Sequence, residues 1–426
     1  MNDKLKTILD FIPLFVMALA AVYVFICLYL KSKSEKWIHG YYFFMLNIFY
    51  LYLIILIGSY SNYKIKEIYS AIIISLIITF SYLAIVSLQY IFLVKAQHNK
   101  KNFRYAFWLP ILLLILYKLP GLASNLHIYE LNWADNLILV GISFVTFKLS
   151  YSALELENGR FPLPPYAGYI SYAFYIPALF VGPINPISNQ LGSKFTKSYS
   201  APIHRLAIGL FKLIVIGTLL ERLNYQSLFV QSEPSSLDYL IAPIANFLFI
   251  YYNFSGICDI VISISNIIKI PMKENFNSPL LAKNIREFWS RWHISLSDYF
   301  KDVVFSPVVS HLTKATGIKQ INHNIALGIL TVFILVGLWH GTGLNYLLFG
   351  LLQGMAVIFN HYTAIACKKN LGMQLLDKLN NRFLNCISIG LTFTFNCITM
   401  LLVTNSTGDF INYTRGIVLA IRLYIT

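Results

Sequence analysis

The chain has 426 residues, of which 57% are hydrophobic and only 12% charged, with a mean hydropathy of +0.63. A soluble domain carries about a quarter charged residues, so this composition excludes a water-facing exterior and makes lipid the solvent for most of the surface. The net charge of +15, from 33 Lys and Arg against 18 Asp and Glu, does not indicate nucleic acid, because the cations sit in short loops between apolar runs without a dense basic tract or zinc-finger spacing.

Crossing a hydrocarbon layer of ~30 Å takes about 20 apolar residues. Such runs lie near 8–30, 41–59, 68–94, 205–220, 237–253, 323–339, 344–366 and 383–404. The stretches 105–128, 137–150, 169–183, 257–270 and 410–425 are shorter or interrupted, as half-helices and re-entrant pieces are. In the first run, Ala18-Leu19-Ala20 follows Lys4 and Lys6 in the manner of a signal-peptidase site. The apolar residues continue from Ala21 to Leu30, however, too far for a signal segment, and the sequence predicts a retained spanning helix. No long polar break divides the chain, so a single domain over 1–426 is expected.

Orientation follows from the first loops. Lys31, Lys33 and Lys36 fall in one loop and Lys95, Lys100, Lys101 and Arg104 in another, two spans later. The positive-inside rule makes that side cytoplasmic and the N-terminus extracytoplasmic. The intervening loop, with Lys64 and Lys66 against Glu67, carries less bias.

Between Pro271 and Asp302 the pattern of spans is broken by PMKENFNSPLLAKNIREFWSRWHISLSDYFKD. From Asn284 its spacing is helical, with Ile285, Phe288, Trp289, Trp292 and Leu296 on one side and Arg286, Ser290, His293 and Ser297 on the other. A Trp-rich apolar face opposed by polar residues marks a helix lying at the membrane interface. A plain anchor without chemistry accounts for the periodicity equally well.

Ionisable residues within apolar runs are costly and usually functional. His340 follows IALGILTVFILVGLW, with Gly337, Gly341 and Gly343 around it to admit a close backbone or ligand. Histidine is also the side chain best suited to general-base work at neutral pH. The plainer alternative is a histidine bonded to a neighbouring helix. Asp259, in NFSGICDIV, is the second such residue, either a structural acceptor or part of a polar tunnel. Glu155 and Glu157 follow the short span 137–150 and are expected at its end in water. The five cysteines, Cys27, Cys258, Cys367, Cys386 and Cys397, include no C-x-x-C pair and read as small buried hydrophobes, so neither a disulfide nor a metal site is expected. Walker A, H-E-x-x-H, G-x-S-x-G and G-x-G-x-x-G patterns are missing.

The motifs FSG-x-x-D, ENFN-x-P and EFW-x-RWHISLS within 253–307, and GLWHG at 337–341, resemble the signatures of the membrane-bound O-acyltransferases. GISFVTFK at 141–148, FVGPI at 180–184 and RLAIGLFKLIVI at 205–216 agree. The resemblance extends over most of the chain beyond about residue 90, with its signature core at 253–341. It is similar to the bacterial branch holding the D-alanyl transfer protein of teichoic acid modification and the alginate O-acetylase. It implies an all-α polytopic membrane protein, a ring of about eleven tilted or broken helices around a central tunnel. It further implies acyl transfer to a hydroxyl of an extracytoplasmic cell-envelope polymer, in a bacterial plasma membrane.

By that resemblance the catalytic histidines fall on His340 and His293, and Trp289, Arg291, Trp292, Asn275, Asp259 and Trp339 are the substrate-binding candidates. The implied donor is a thioester, on carrier-protein phosphopantetheine or as acetyl-CoA, with no resident cofactor. The expected partners are membrane lipids, an acyl carrier protein on the cytoplasmic side and an extracytoplasmic acyl-transfer partner. A further histidine found downstream in many bacterial relatives is Gln353 here. The rival reading is a transporter or flippase of an acylated intermediate, against which stands the lack of an internal repeat relating the two halves.

Overall fold

A computed structural model describes residues 19–34, 37, 40–62, 68–125, 141–179, 181–192, 200–230, 234–379 and 381–425. Residues 8–18 of the expected first span, Lys36, the loop charges Lys64, Lys66 and Glu67, residues 137–140 and Phe180 of FVGPI lie outside these. Among the described residues the regular structure is helical, apart from an isolated antiparallel bridge between Phe276 and Trp292.

The principal helices are α1 (19–33), α2 (Tyr41–Asn62), α3 (Ile68–Ala96), α4 (Asn102–Asn125), α5 (Ile142–Glu157), α6 (Tyr166–Ala173) and α7, a composite over 200–221 whose Phe211–Gly217 stretch is π-helical. They continue with α8 (Asp238–Ile267), α9 (Ile285–Arg291), α10 (Ile294–Phe300), α11 (Ser306–Thr316), α12 (Ile321–His340), α13 (Leu344–Leu379), α14 (Arg382–Thr399) and α15 (Thr407–Ile425).

Seven described helical stretches are long and apolar enough to cross a membrane: Tyr69–Ala96, Asn102–Leu119, Ala201–Phe229, Asp238–Ile267, Ile318–His340, Leu344–Cys367 and Arg382–Thr404. Large apolar side chains such as Phe80, Ile214, Phe359 and Leu391 stand exposed on them, which water would penalise and lipid does not. The pieces expected at 237–253 and 257–270 are one continuous helix of 30 residues, α8, with Pro243 inside it. Gly256 does not break it. Its missing side chain instead admits the carbonyl of Gly209 and the Cβ of Lys212 from α7.

The chain forms two compact units that interleave along the sequence. One comprises 1–115, 135–206 and 260–273; the other comprises 116–134, 207–259 and 274–426. In the first, buried Gln89 of α3 donates to the carbonyls of Ala106 and Leu149 and accepts from the Tyr169 hydroxyl, linking four helices. Glu155, expected in water, is instead buried, its carboxylate accepting from the Ser188 hydroxyl at 2.5 Å. Lys148, at the end of GISFVTFK, is 1% exposed and donates to the Tyr172 carbonyl at 2.5 Å, capping the C-terminal turn of α6.

The second unit holds both histidines. Its α12–α13 hairpin packs backbone to backbone: a Cβ at Gly337 would collide with the Tyr346 carbonyl, and one at Gly350 with the Phe333 carbonyl. Overpacking of this kind typically costs about 1–3 kcal/mol where neighbours can yield, and carbonyls yield poorly. Gly337→Ala is therefore expected to lower the unfolding midpoint of detergent-solubilised protein, whereas Gly390→Ala, which meets nothing within 4 Å, should leave it in place.

Candidate active site

The expected single interfacial helix from Asn284 onward is broken in two. Asn284 caps α9, its side-chain oxygen accepting from the Glu287 amide at 2.9 Å. The helix then stops at Trp292, and His293 adopts the left-handed conformation, φ 44° and ψ 53°, before α10 begins. The break is imposed by ENFN. That segment runs antiparallel to the junction, with the Asn277 amide donating to the Arg291 carbonyl at 2.9 Å and the Ile294 amide to the Asn275 carbonyl at 3.0 Å. The turn removes His293 from the outer polar face that the periodicity assigned to it and buries it, 4% exposed.

Asn275 fixes the state of that imidazole. Its side-chain oxygen accepts from the Ser295 amide at 3.2 Å and the Ser295 hydroxyl at 2.8 Å, and it lies 3.1 Å from His293 Nδ1. An amide N–H can only donate, so the atom facing Ser295 is the oxygen. His293 Nδ1 must then carry the hydrogen, which leaves Nε2 with an open lone pair. Nε2 is buried and makes no hydrogen bond among the described residues.

Burial, and the neighbouring His340 imidazole, push His293 down from the ordinary 6.5 to about 3. The ring is neutral at physiological pH. A histidine harder to protonate when folded contributes stability that is complete above 6.5 and lost as pH falls toward 3. Unfolding midpoints across that range should fall with acidity, and His293→Gln should remove part of the slope; an unchanged slope would contradict the assigned neutral state.

His340 ends α12, exposed where His293 is buried. The two histidines line one cavity of about 70 Å³ with Trp289, Trp292, Trp339 and Phe349. Trp339 neighbours both, its ring 4.5 Å from that of His340 and 6.3 Å from that of His293. Lys118 of α4 donates to the Trp339 carbonyl at 2.5 Å, placing a cationic side chain at the C-terminal turn that carries His340. The sequence offered no signal for Lys118, which lies 221 residues from its partner.

The expected site residues divide accordingly. His293, His340, Trp289, Trp292 and Trp339 meet at the cavity, and Asn275 braces it from behind. Arg291 does not line it. Its guanidinium pairs with Glu287 at 2.6 Å and donates weakly to the Ser278 carbonyl. Asp259 does not line it either, and forms an ion pair with Lys212 at 2.7 Å. Gln353 is fully buried and accepts from the Trp289 indole N–H at 3.0 Å. Trp289→Phe removes that donor and leaves a buried carbonyl unsatisfied, a cost of about 1–3 kcal/mol. The variant should therefore unfold at lower temperature, and an unchanged midpoint would show that the bond carries little.

A family model described as MBOAT, membrane-bound O-acyltransferase family, matches residues 65–400. The teichoic acid D-alanyltransferase of Bacillus subtilis is 30% identical over 272 residues, covering 62% of this chain and 68% of that relative. The peptidoglycan O-acetyltransferase of Helicobacter pylori is 29% identical over 227 residues, and the probable alginate O-acetylase of Pseudomonas aeruginosa 28% over the same length. Each of those matches covers 51% of this chain and under half of the relative, 41% and 42% respectively. A model match over most of the chain, joined to membrane-length helices and paired histidines, has one reading: the chain belongs to the membrane-bound O-acyltransferase family and is a multi-pass O-acyltransferase.

Proposed function

We propose that the enzyme moves a D-alanyl or acetyl group from a cytoplasmic thioester to a hydroxyl of an extracytoplasmic cell-envelope polymer. The observation that carries this reading is the single cavity shared by His340 and the unpartnered Nε2 of His293. His340 takes the hydroxyl proton of the acceptor, and the oxygen attacks the thioester carbonyl. The C–S bond breaks, and the departing sulfur takes the proton from the imidazolium and leaves as a thiol. Neutral His293 offers its Nε2 lone pair to a donor on the bound substrates.

The relatives' names favour envelope polymers as acceptors, and the thioester is supplied on a carrier protein's phosphopantetheine or as acetyl-CoA. An acidic carrier would be drawn to Lys31, Lys33, Lys95, Lys100, Lys101 and Arg104 on the cytoplasmic face. Purified protein given acetyl-CoA or a D-alanyl carrier protein, with lipoteichoic acid or a glycan as acceptor, should release free thiol only when the acceptor is present. Thiol release independent of acceptor, or none with either donor, would oppose the reading.

The orientation in a bacterial plasma membrane is proposed from the loop charges. In a variant whose five native cysteines are replaced, a cysteine at Asn2 should react with an impermeant thiol reagent in intact cells, and one at Ser34 should not. The reverse labelling would invert the topology.

A further inference from the structure

Two spaces adjoin at Trp289. One is the histidine cavity of about 70 Å³; the other is a larger groove of about 330 Å³, lined mainly by apolar side chains that include Ile294, Phe305, Val332 and Phe333. Trp289 and Leu296 line both, so their side chains form the wall between them. The indole is held on one flank by Phe333, ring centres 5.0 Å apart, and at its N–H by Gln353.

The orientation of Gln353 is unambiguous. An indole N–H only donates, so the amide oxygen faces it and the amide nitrogen points the other way. That nitrogen donates to Thr399 Oγ1 at 2.9 Å and to Asn396 Oδ1 at 3.3 Å. Both acceptors are themselves committed: the Thr399 hydroxyl donates to the Phe395 carbonyl and the Asn396 amide to the Thr392 carbonyl, each at 2.8 Å. The chain of bonds fastens the indole to α14 through α13. A non-titratable residue does this work as well as a histidine, since what Trp289 requires is one buried acceptor.

We infer that Gln353 is a specificity-determining positioning residue: by holding Trp289 as the wall of the histidine cavity, it restricts the transferred acyl group to a few carbons. The inference rests on acyl transfer occurring at the histidine pair. Releasing or removing the indole joins the small cavity to the apolar groove, which then receives the extra methylenes of a longer chain.

The test uses the full-length protein in lipid nanodiscs, with pantetheine thioesters of acetyl, butyryl, hexanoyl and octanoyl groups and lipoteichoic acid as acceptor. Free thiol measures turnover, and binding of the corresponding non-reactive thioethers is measured separately. In the wild type both fall steeply with length, because a pocket that cannot take one more methylene discriminates by roughly tenfold or more. In Gln353→Leu and Trp289→Ala the octanoyl-to-acetyl ratio of kcat/KM should rise by at least about tenfold, mainly through KM. Gln353→His, which keeps an acceptor for the indole, should retain the wild-type ratio. A merely structural Gln353 would lower turnover at every length alike, and that result in folded Gln353→Leu and Trp289→Ala overturns the proposal. Should the wild type release no thiol at any length, acyl transfer itself fails, and the thioether series still decides whether the length limit exists.

Discussion

His340→Ala should lose activity by roughly 10²- to 10⁴-fold, the range a positioned general base contributes, while the protein still reaches the membrane. His340→Gln is the sharper variant. It keeps a hydrogen-bonding side chain of similar reach that cannot accept a proton at neutral pH. His340 opens onto the cavity it lines, beside Trp339 and Phe349, and Gln, of similar reach, should leave the unfolding midpoint nearly unchanged. Following product and free thiol together distinguishes lost chemistry from lost donor binding. Near-normal product formation by His340→Gln would remove the base assignment and shift attention to the Nε2 lone pair of His293.

The second large effect is expected at Asn275. Alanine there withdraws one acceptor from the Ser295 amide, the Ser295 hydroxyl and His293 Nδ1 together. Each buried donor left unsatisfied costs about 1–3 kcal/mol, so Asn275→Ala should be among the most destabilising single changes in the second unit. Any folded fraction should have lost the fixed tautomer of His293 and much of its turnover. Asn275→Asp restores the acceptor but sets a carboxylate beside the imidazole, which favours protonation, and should move the acid limb of the pH–rate profile upward. Wild-type melting and turnover in Asn275→Ala would show that the tautomer is held elsewhere.

The spans, the two histidines and the close-packing glycines were legible because each leaves a local mark: an apolar run, an ionisable residue within or beside it, or small residues beside a histidine. The placement of His293 was not. Helical spacing through 284–297 reads as continuous, and the left-handed turn that buries the ring is set by backbone pairing with a segment some fifteen residues earlier. Asp259 was recognisable as an anomaly, but its partner Lys212 is 47 residues away, and side-chain pairing over that distance has no sequence signature. Lys118 is hidden for the same reason. Gln353 stood out as a replaced histidine, yet its task became readable only once the Trp289 indole was seen to need an acceptor.

The Lys212–Asp259 pair also bears on how this chain enters the bilayer. Each of the two helices carries a charge within its spanning stretch, and each charge taken singly opposes insertion by roughly 2.5–3.5 kcal/mol at the helix centre. The close approach at Gly256 brings the two backbones together at the same level. Once paired, the ammonium and carboxylate present the lipid with no net charge, so the two segments partition far more readily together than in succession. Insertion of this part of the molecule is accordingly expected to favour a helical hairpin, with the two segments together integrating more efficiently than either alone.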